Sequence, residues 1–182
     1  EEGLLTENYG EARRINAGSP EPLWTGGFNT ELSWRGISLG IQLEARYGNK
    51  VLNQDRSLFE ADGSYGDSNI WKGAMNYWKK PGDTNVLPKP VYNNSSNSSA
   101  ISTRYLEDGS YLRIKDITLA YSLPSKWTKK ALMSGVRIYA SALNLYTFHN
   151  MNYWDPEHGT SGATIISYPM TRSMIVGVDI TF

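Results

Sequence analysis

Between Ile37 and Tyr47 every second residue is apolar or aromatic. Ile37, Leu39, Ile41, Leu43, Ala45 and Tyr47 make one row, and Ser38, Gly40, Gln42, Glu44 and Arg46 make the other. A period of two suits an extended strand and no helix, because consecutive strand side chains point to opposite faces of a sheet. Length adds a second constraint. Strands in soluble domains usually run ~5 to 6 residues, whereas a tilted strand needs ~9 to 11 to cross a bilayer. Just upstream, Phe28, Thr30, Leu32 and Trp34 alternate with Asn29, Glu31, Ser33 and Arg35. Arg35-Gly36 then reads as a two-residue hairpin connection, which pairs Trp34 with Ile37 and puts both apolar rows on one side of the sheet.

Three further strands follow the same grammar. In "YLRIKDITLAYSL" the apolar row runs Leu112, Ile114 and then Ile117, Leu119, Tyr121, Leu123. The parity slips by one residue around Lys115-Asp116, the mark of a β-bulge. "SKWTKKALMSG" predicts a short amphipathic connector of one or two helical turns closed by Gly135. A fourth strand is predicted in "VRIYASALNLYTF", with Val136, Ile138, Ala140 and Ala142 in one row. The last runs to Phe182 with Met174, Val176, Val178 and Ile180 on the same face, which implies a partner strand and an apolar exterior for that row.

The segments between these strands alternate in length. Arg35-Gly36 and Pro124 to Gly135 are short, while Asn53 to Gly109 and His149 to Pro169 are long. The first long segment lacks sustained periodicity and is rich in Pro, Asn and Ser, with a short helix predicted around Asn69 to Trp78. Short turns at one end and long loops at the other are the layout of an outer-membrane barrel. Trp24, Phe28, Trp34, Tyr47, Tyr111, Tyr121, Trp127, Tyr146, Phe148 and Phe182 fall near strand ends, where rings suit a membrane interface. A soluble β-sandwich that binds carbohydrate through aromatic loops also alternates and carries aromatic edges, and it stands as the other reading. Burial of Ile37, Leu39, Ile41 and Leu43 against a second sheet would favour it.

Composition narrows the chemistry. Lys plus Arg and Asp plus Glu are 18 each, so no net field draws nucleic acid. There is no cysteine, which removes disulfides and thiolate metal ligands. No apolar run approaches the ~18 residues of a membrane-spanning helix. Nothing has the spacing of a nucleophile elbow, a paired-carboxylate site or a phosphate-cradling glycine loop, so the chain reads as no enzyme and no cofactor is expected. Asp155, Glu157 and His158 in "DPEHG" are metal-ligating types, but one local trio lacks the converging donors of a metal site.

"EPLWTGGFNTELSWRGISLGIQLEARYGNKVLN", "NYWKKPGDTNVLPKP", "SYLRIKDITLAYSLPSKW", "VRIYASALNLYTF", "NYWDPE" and "YPMTRSMIVGVDITF" occur in that order. Together they resemble the C-terminal end of SusC/RagA-type TonB-dependent outer-membrane transporters of Bacteroidetes. The resemblance implies an all-β chain: about five C-terminal antiparallel strands of a large transmembrane β-barrel, with two long extracellular loops. Residues 1–23 would be a loop or incoming segment and 24–182 the last strands and loops. The plug, most of the wall and the TonB-contacting part would lie upstream. Implied partners are that barrel and plug, outer-membrane lipid, a SusD-like surface lipoprotein and a glycan or peptide substrate.

Residue roles follow from these two sources. The extracellular aromatics Trp71, Trp78, Tyr153 and Trp154 are candidate platforms for substrate, with loop packing as the alternative for each. Glu31, Gln42, Glu44, Arg46 and Asp179 lie on the polar rows, which in a barrel face the lumen and plug. The terminal aromatic Phe182 resembles the signal by which outer-membrane proteins are recognised for assembly.

Overall fold

The computed structural model describes residues 6, 8–65, 69–84, 86–94, 96, 98–157, 162–164, 168 and 170–182. The chain divides into two compact units, Glu1–Pro20 with Lys50–Glu107 and His158–Ser167, and Glu21–Asn49 with Asp108–Glu157 and Tyr168–Phe182.

The second unit is built on a five-stranded antiparallel sheet. Its strands are β1 (Trp24–Trp34), β2 (Ile37–Tyr47), β5 (Tyr111–Ser122), β6 (Gly135–His149) and β8 (Ser173–Thr181), in the order β1-β2-β5-β6-β8. Register places like with like. Leu32, Leu39, Leu119, Ala140 and Val176 form one rung across all five strands, and Trp34, Ile37, Tyr121, Ile138 and Val178 form the next. On the opposite face the matching rungs are Ser33, Ser38, Ala120, Tyr139, Gly177 and Glu31, Gly40, Thr118, Ser141, Ile175. One face is thus continuously apolar, and it is not a core. Ile37, Leu119 and Val176 are 43, 53 and 78% exposed, and Leu39, Ile41 and Leu43 are half-buried. None of the four β2 residues is buried, as a sandwich would require.

β1 begins at Trp24, four residues before the clear alternation, because Gly26 and Gly27 carry no side chain to mark it. The bulge at Lys115 is present, and β6 carries a second one that the sequence pattern conceals. Between the register points Ile41–Ile117–Ala142 and Leu43–Ile114–Tyr146, β2 advances two residues (41 to 43), β5 three (114 to 117) and β6 four (142 to 146). One extra residue flips parity, but two restore it. Asn144 absorbs the distortion at φ 50°, in the left-handed region where Asn is tolerated.

At the short-turn end the chain is tightly tied. Arg35 and Gly36 both have positive φ, 49° and 86°, as the mirror-image turn of a two-residue hairpin requires. The Ser122 amide donates to the Gly36 carbonyl at 2.7 Å. A Cβ on Gly36 would lie 2.8 Å from the Ser122 carbonyl oxygen. Gly36→Ala therefore combines backbone strain with a clash, and it is expected to cost about 1 to 3 kcal/mol. Thermal unfolding of the full-length protein reads this directly, and an unchanged midpoint would refute it. The connector is α2 (Ser125–Thr128) followed by a 3-10 turn, Lys129–Ala131. Leu132 at φ 58° ends it, whereas Gly135 is already the first residue of β6. The terminating left-handed position is thus a leucine and not the glycine expected.

The first unit holds the long segment. β3 (Lys50–Asn53) lies between β4 (Leu106–Asp108) and β7 (Ala163–Thr164) in a small sheet, β3 pairing parallel with β7. α1 (Gln54–Phe59) follows β3, too short for a helical period to be legible. The helix expected over Asn69 to Trp78 is only a 3-10 turn, Lys72–Met75. Arg56 organises this unit: its guanidinium pairs with Glu60 at 2.9 Å and Glu107 at 2.7 Å. Burial works against its charge, but the two carboxylates outweigh it and hold the pKa above the ordinary arginine value. Among the described residues no helix is long and apolar enough to cross a membrane, which says nothing about strands.

Candidate functional site

The polar face of the five-stranded sheet carries the chemistry of the second unit. Near the long-loop end, two rungs bring Glu44 beside Arg113 and Arg46 beside Tyr111. Arg113 is fully buried, a position that an arginine occupies only when paired. It donates through Nη1 to Glu157 Oε2 at 2.5 Å and through Nη2 to Asp155 Oδ1. Lys115 donates to Glu157 at 3.1 Å and lies 3.1 Å from Glu44 Oε2. The Tyr111 hydroxyl donates to the other Glu44 oxygen at 2.7 Å, and Arg46 Nε lies 3.9 Å from that oxygen. Arg46, Lys115 and Arg113 thus face Glu44, Asp155 and Glu157, three charges of each sign.

This network holds the segment after β6 onto the wall of the sheet. Asp155 also accepts the Glu157 amide at 2.9 Å, so one carboxylate shapes the turn and neutralises the arginine. Met151 and Pro156 of the same segment are buried. The two carboxylates that resemble metal donors in the sequence are therefore engaged by a guanidinium and an ammonium. Among the described residues no group of three or more His, Cys, Asp and Glu could hold a metal, and His158 lies outside them. Arg113 is visible in the sequence only as one polar-row residue among several. Its partners lie more than 40 positions away, at separations of 42 and 44, and no local pattern encodes that.

The remaining candidates fall into distinct surroundings. Glu31 and Gln42 are exposed on the polar face. Asp179 pairs with Arg137 at 3.2 Å, with side chains 57 and 43% exposed, so this ion pair contributes little. Below the network, Thr118 and Ser141 each donate to one oxygen of Asp116, at 2.7 and 2.9 Å. Tyr153 has φ 66° and is 55% exposed, while the indole nitrogen of Trp154 is enclosed. In the first unit Trp71 stacks on Phe59 with ring centroids 4.8 Å apart, so one of its faces is occupied. Trp78 lines a surface cavity of about 480 Å³ with Asp83, Leu87, Lys89 and Arg104.

Comparison with known proteins gives a consistent picture. TonB-dependent receptor P3 of Formosa agariphila is 30% identical over 94% of the chain, and TonB-dependent receptor P26 of the same organism is 27% identical over 91%. The chain spans 17% of the length of each of these curated relatives. Among solved structures, the RagAB peptide importer in its closed-closed state matches 92% of the chain and 18% of its own, at a TM-score of 0.77 and 30% identity. Its open-open state matches 93% of the chain and 19% of its own, at 0.76 and 29%. No family model matches the chain.

Proposed function

We propose a function from one premise: the chain belongs to the SusC/RagA-type TonB-dependent receptors, which are outer-membrane proteins. In this reading the five-stranded sheet is part of the wall of a large barrel, formed by the C-terminal strands, with residues 1–23 leading in. The apolar face meets lipid, and the polar face with Glu31, Gln42, Glu44, Arg46 and Asp179 meets the lumen and plug. The segments 53–109 and 149–169 face the medium and the short turns face the periplasm. Transport runs through the whole receptor, with TonB engaged by its N-terminal part and a SusD-like lipoprotein at the outer surface. Peptides are the first substrate class to test, because RagAB is a peptide importer; oligosaccharides are the second. Tyr153, Trp154, Trp71 and Trp78 are the substrate-contact candidates.

One observation carries this reading: an apolar face that is continuous over five strands yet exposed, backed by a face on which three cations meet three anions. Large exposed apolar surface marks an interaction site or a membrane. Charges on a lipid-facing row are costly, whereas on a lumen face they are hydrated or paired. The edge strands β1 and β8 point the same way, since in hydrocarbon their backbone groups need partner strands from the rest of the receptor.

The full-length receptor is expected in the outer-membrane fraction, and cells lacking it should lose TonB-dependent uptake of peptides. Recovery in the soluble fraction, or uptake unchanged in the deletion strain, would overturn the proposal. Removing Phe182 from the full-length protein should lower its outer-membrane level several-fold if that ring acts in assembly; an unchanged level excludes that role.

A further inference from the structure

The short-turn end of the sheet has a composition that neither transport nor wall packing uses. Lys126, Lys129 and Lys130 project from the α2 connector, all exposed, and among the described residues none makes an ion pair. Residues 117–137 contain no acidic side chain, and neither do residues 33–38, where Arg35 sits. The single carboxylate of the neighbouring β8, Asp179, is already matched to Arg137. Among side chains, positive charge therefore outnumbers negative at this end.

Exposed apolar groups accompany it. Trp34 is 67% exposed with the Arg35 guanidinium 4.8 Å above its ring, Trp127 is 61% exposed, and Leu132 is 90% exposed. Yet the connector is not loose. Thr128 is buried and its hydroxyl donates to the Ser125 carbonyl at 3.3 Å. The Met133 amide donates to the Thr128 carbonyl at 3.1 Å and the Ser134 amide to the Thr181 carbonyl at 2.7 Å. A tied turn thus holds three lysines and an indole outward, where the apolar rungs of the sheet end.

We propose that this end binds the phosphate of anionic phospholipid headgroups, with Lys126, Lys129 and Lys130 as the contacts and Trp127 seated at headgroup level. The inference rests on the reading that the sheet spans the outer membrane. Indole rings favour the interface because one edge is apolar and the other polar. Lysine stems lie along apolar surface while the ammonium reaches the phosphate. Each lysine near an anionic lipid surface strengthens binding about fivefold, and the effect is screened by salt.

The test uses the full-length receptor in detergent, given equimolar phosphatidylglycerol and phosphatidylcholine of the same acyl chains, with retained lipid counted by native mass spectrometry. The wild type should retain phosphatidylglycerol at least fivefold over phosphatidylcholine, and added salt should erode that preference. Replacing the trio by Gln (Lys126→Gln, Lys129→Gln, Lys130→Gln) should abolish it, while replacing it by Arg should keep it. Equal retention of the two lipids by the wild type overturns the proposal, as does a preference that survives the Gln triple. Should the triple not assemble, the three single Gln variants take its place, each expected to lower the ratio. A preference for lipid A over phosphatidylglycerol in a second competition would assign the end to the other leaflet and refute it. Failure of the wild type to fractionate with membrane is a different result and would remove the transport reading itself.

Discussion

Arg113→Ala is expected to cost the full-length receptor about 3 to 5 kcal/mol, the range for breaking a buried ion pair by removing one partner. The side chain is fully buried and divides its guanidinium between Asp155 and Glu157. Truncation leaves both carboxylates facing each other with only Lys115 to neutralise Glu157. The penalty comes mainly from those stranded charges, not from a lost attraction. Two measurements separate the causes. Protease cleavage in the segment 150–157 should rise in Arg113→Ala while cleavage elsewhere stays constant. Adding Asp155→Asn and Glu157→Gln should then recover part of the lost thermal stability, because neutral amides tolerate the missing cation. Unchanged cleavage in the single variant would mean that the network does not hold this segment.

Phe28→Arg and Asn29→Arg should differ sharply although the residues are adjacent. They sit near the middle of β1 and on opposite faces: Phe28 pairs with Leu43, and Asn29 with Gln42. If the apolar face meets lipid, an arginine at position 28 costs roughly 2 to 4 kcal/mol near the midplane, and one at position 29 costs little because it enters the lumen. Folding into bilayers, read by the heat-dependent gel mobility typical of barrels, measures both. Equal behaviour of the two variants would show that the faces are not lipid and lumen, and the barrel reading would fail with it.

Both experiments test features of very different legibility. The apolar rungs follow from the row Ile37 to Tyr47, because alternation in a strand decides the face of every side chain once one is known. The hairpin register is equally local, since a two-residue turn pairs Trp34 with Ile37 and all pairs to Trp24–Tyr47 follow. The bulge at Lys115 was readable because one added residue shifts parity. Its companion at Asn144 was not, because two added residues leave the pattern of β6 undisturbed. Local structure in the long segment was hidden for another reason. α1 and the 3-10 turn Lys72–Met75 span less than two helical turns each, too few residues for a period to show.

The network around Arg113 shows where sequence reasoning stops. Glu44, Arg113 and Asp155 carry no motif that joins them, and the two carboxylates of "DPE" show no partner in the sequence. That the cation is an arginine on β5 depends on which strand lies beneath the turn, a fact of register and chain path. The same holds for the long-segment aromatics: composition nominates Trp71, but only packing reveals Phe59 against one of its faces.

Sequence by itself determined that this chain makes long strands with one apolar and one polar face, and the order of its motifs identified the family. These properties are local or additive, so they survive without knowledge of the rest of the fold. Tertiary structure alone decided that the apolar face stays exposed across five strands, that the charges of the polar face cancel in one network, and that three lysines at the short turns remain unmatched. Those are statements about pairs of residues far apart in the chain, and pairing at such distances is set by packing and register, not by any stretch of sequence.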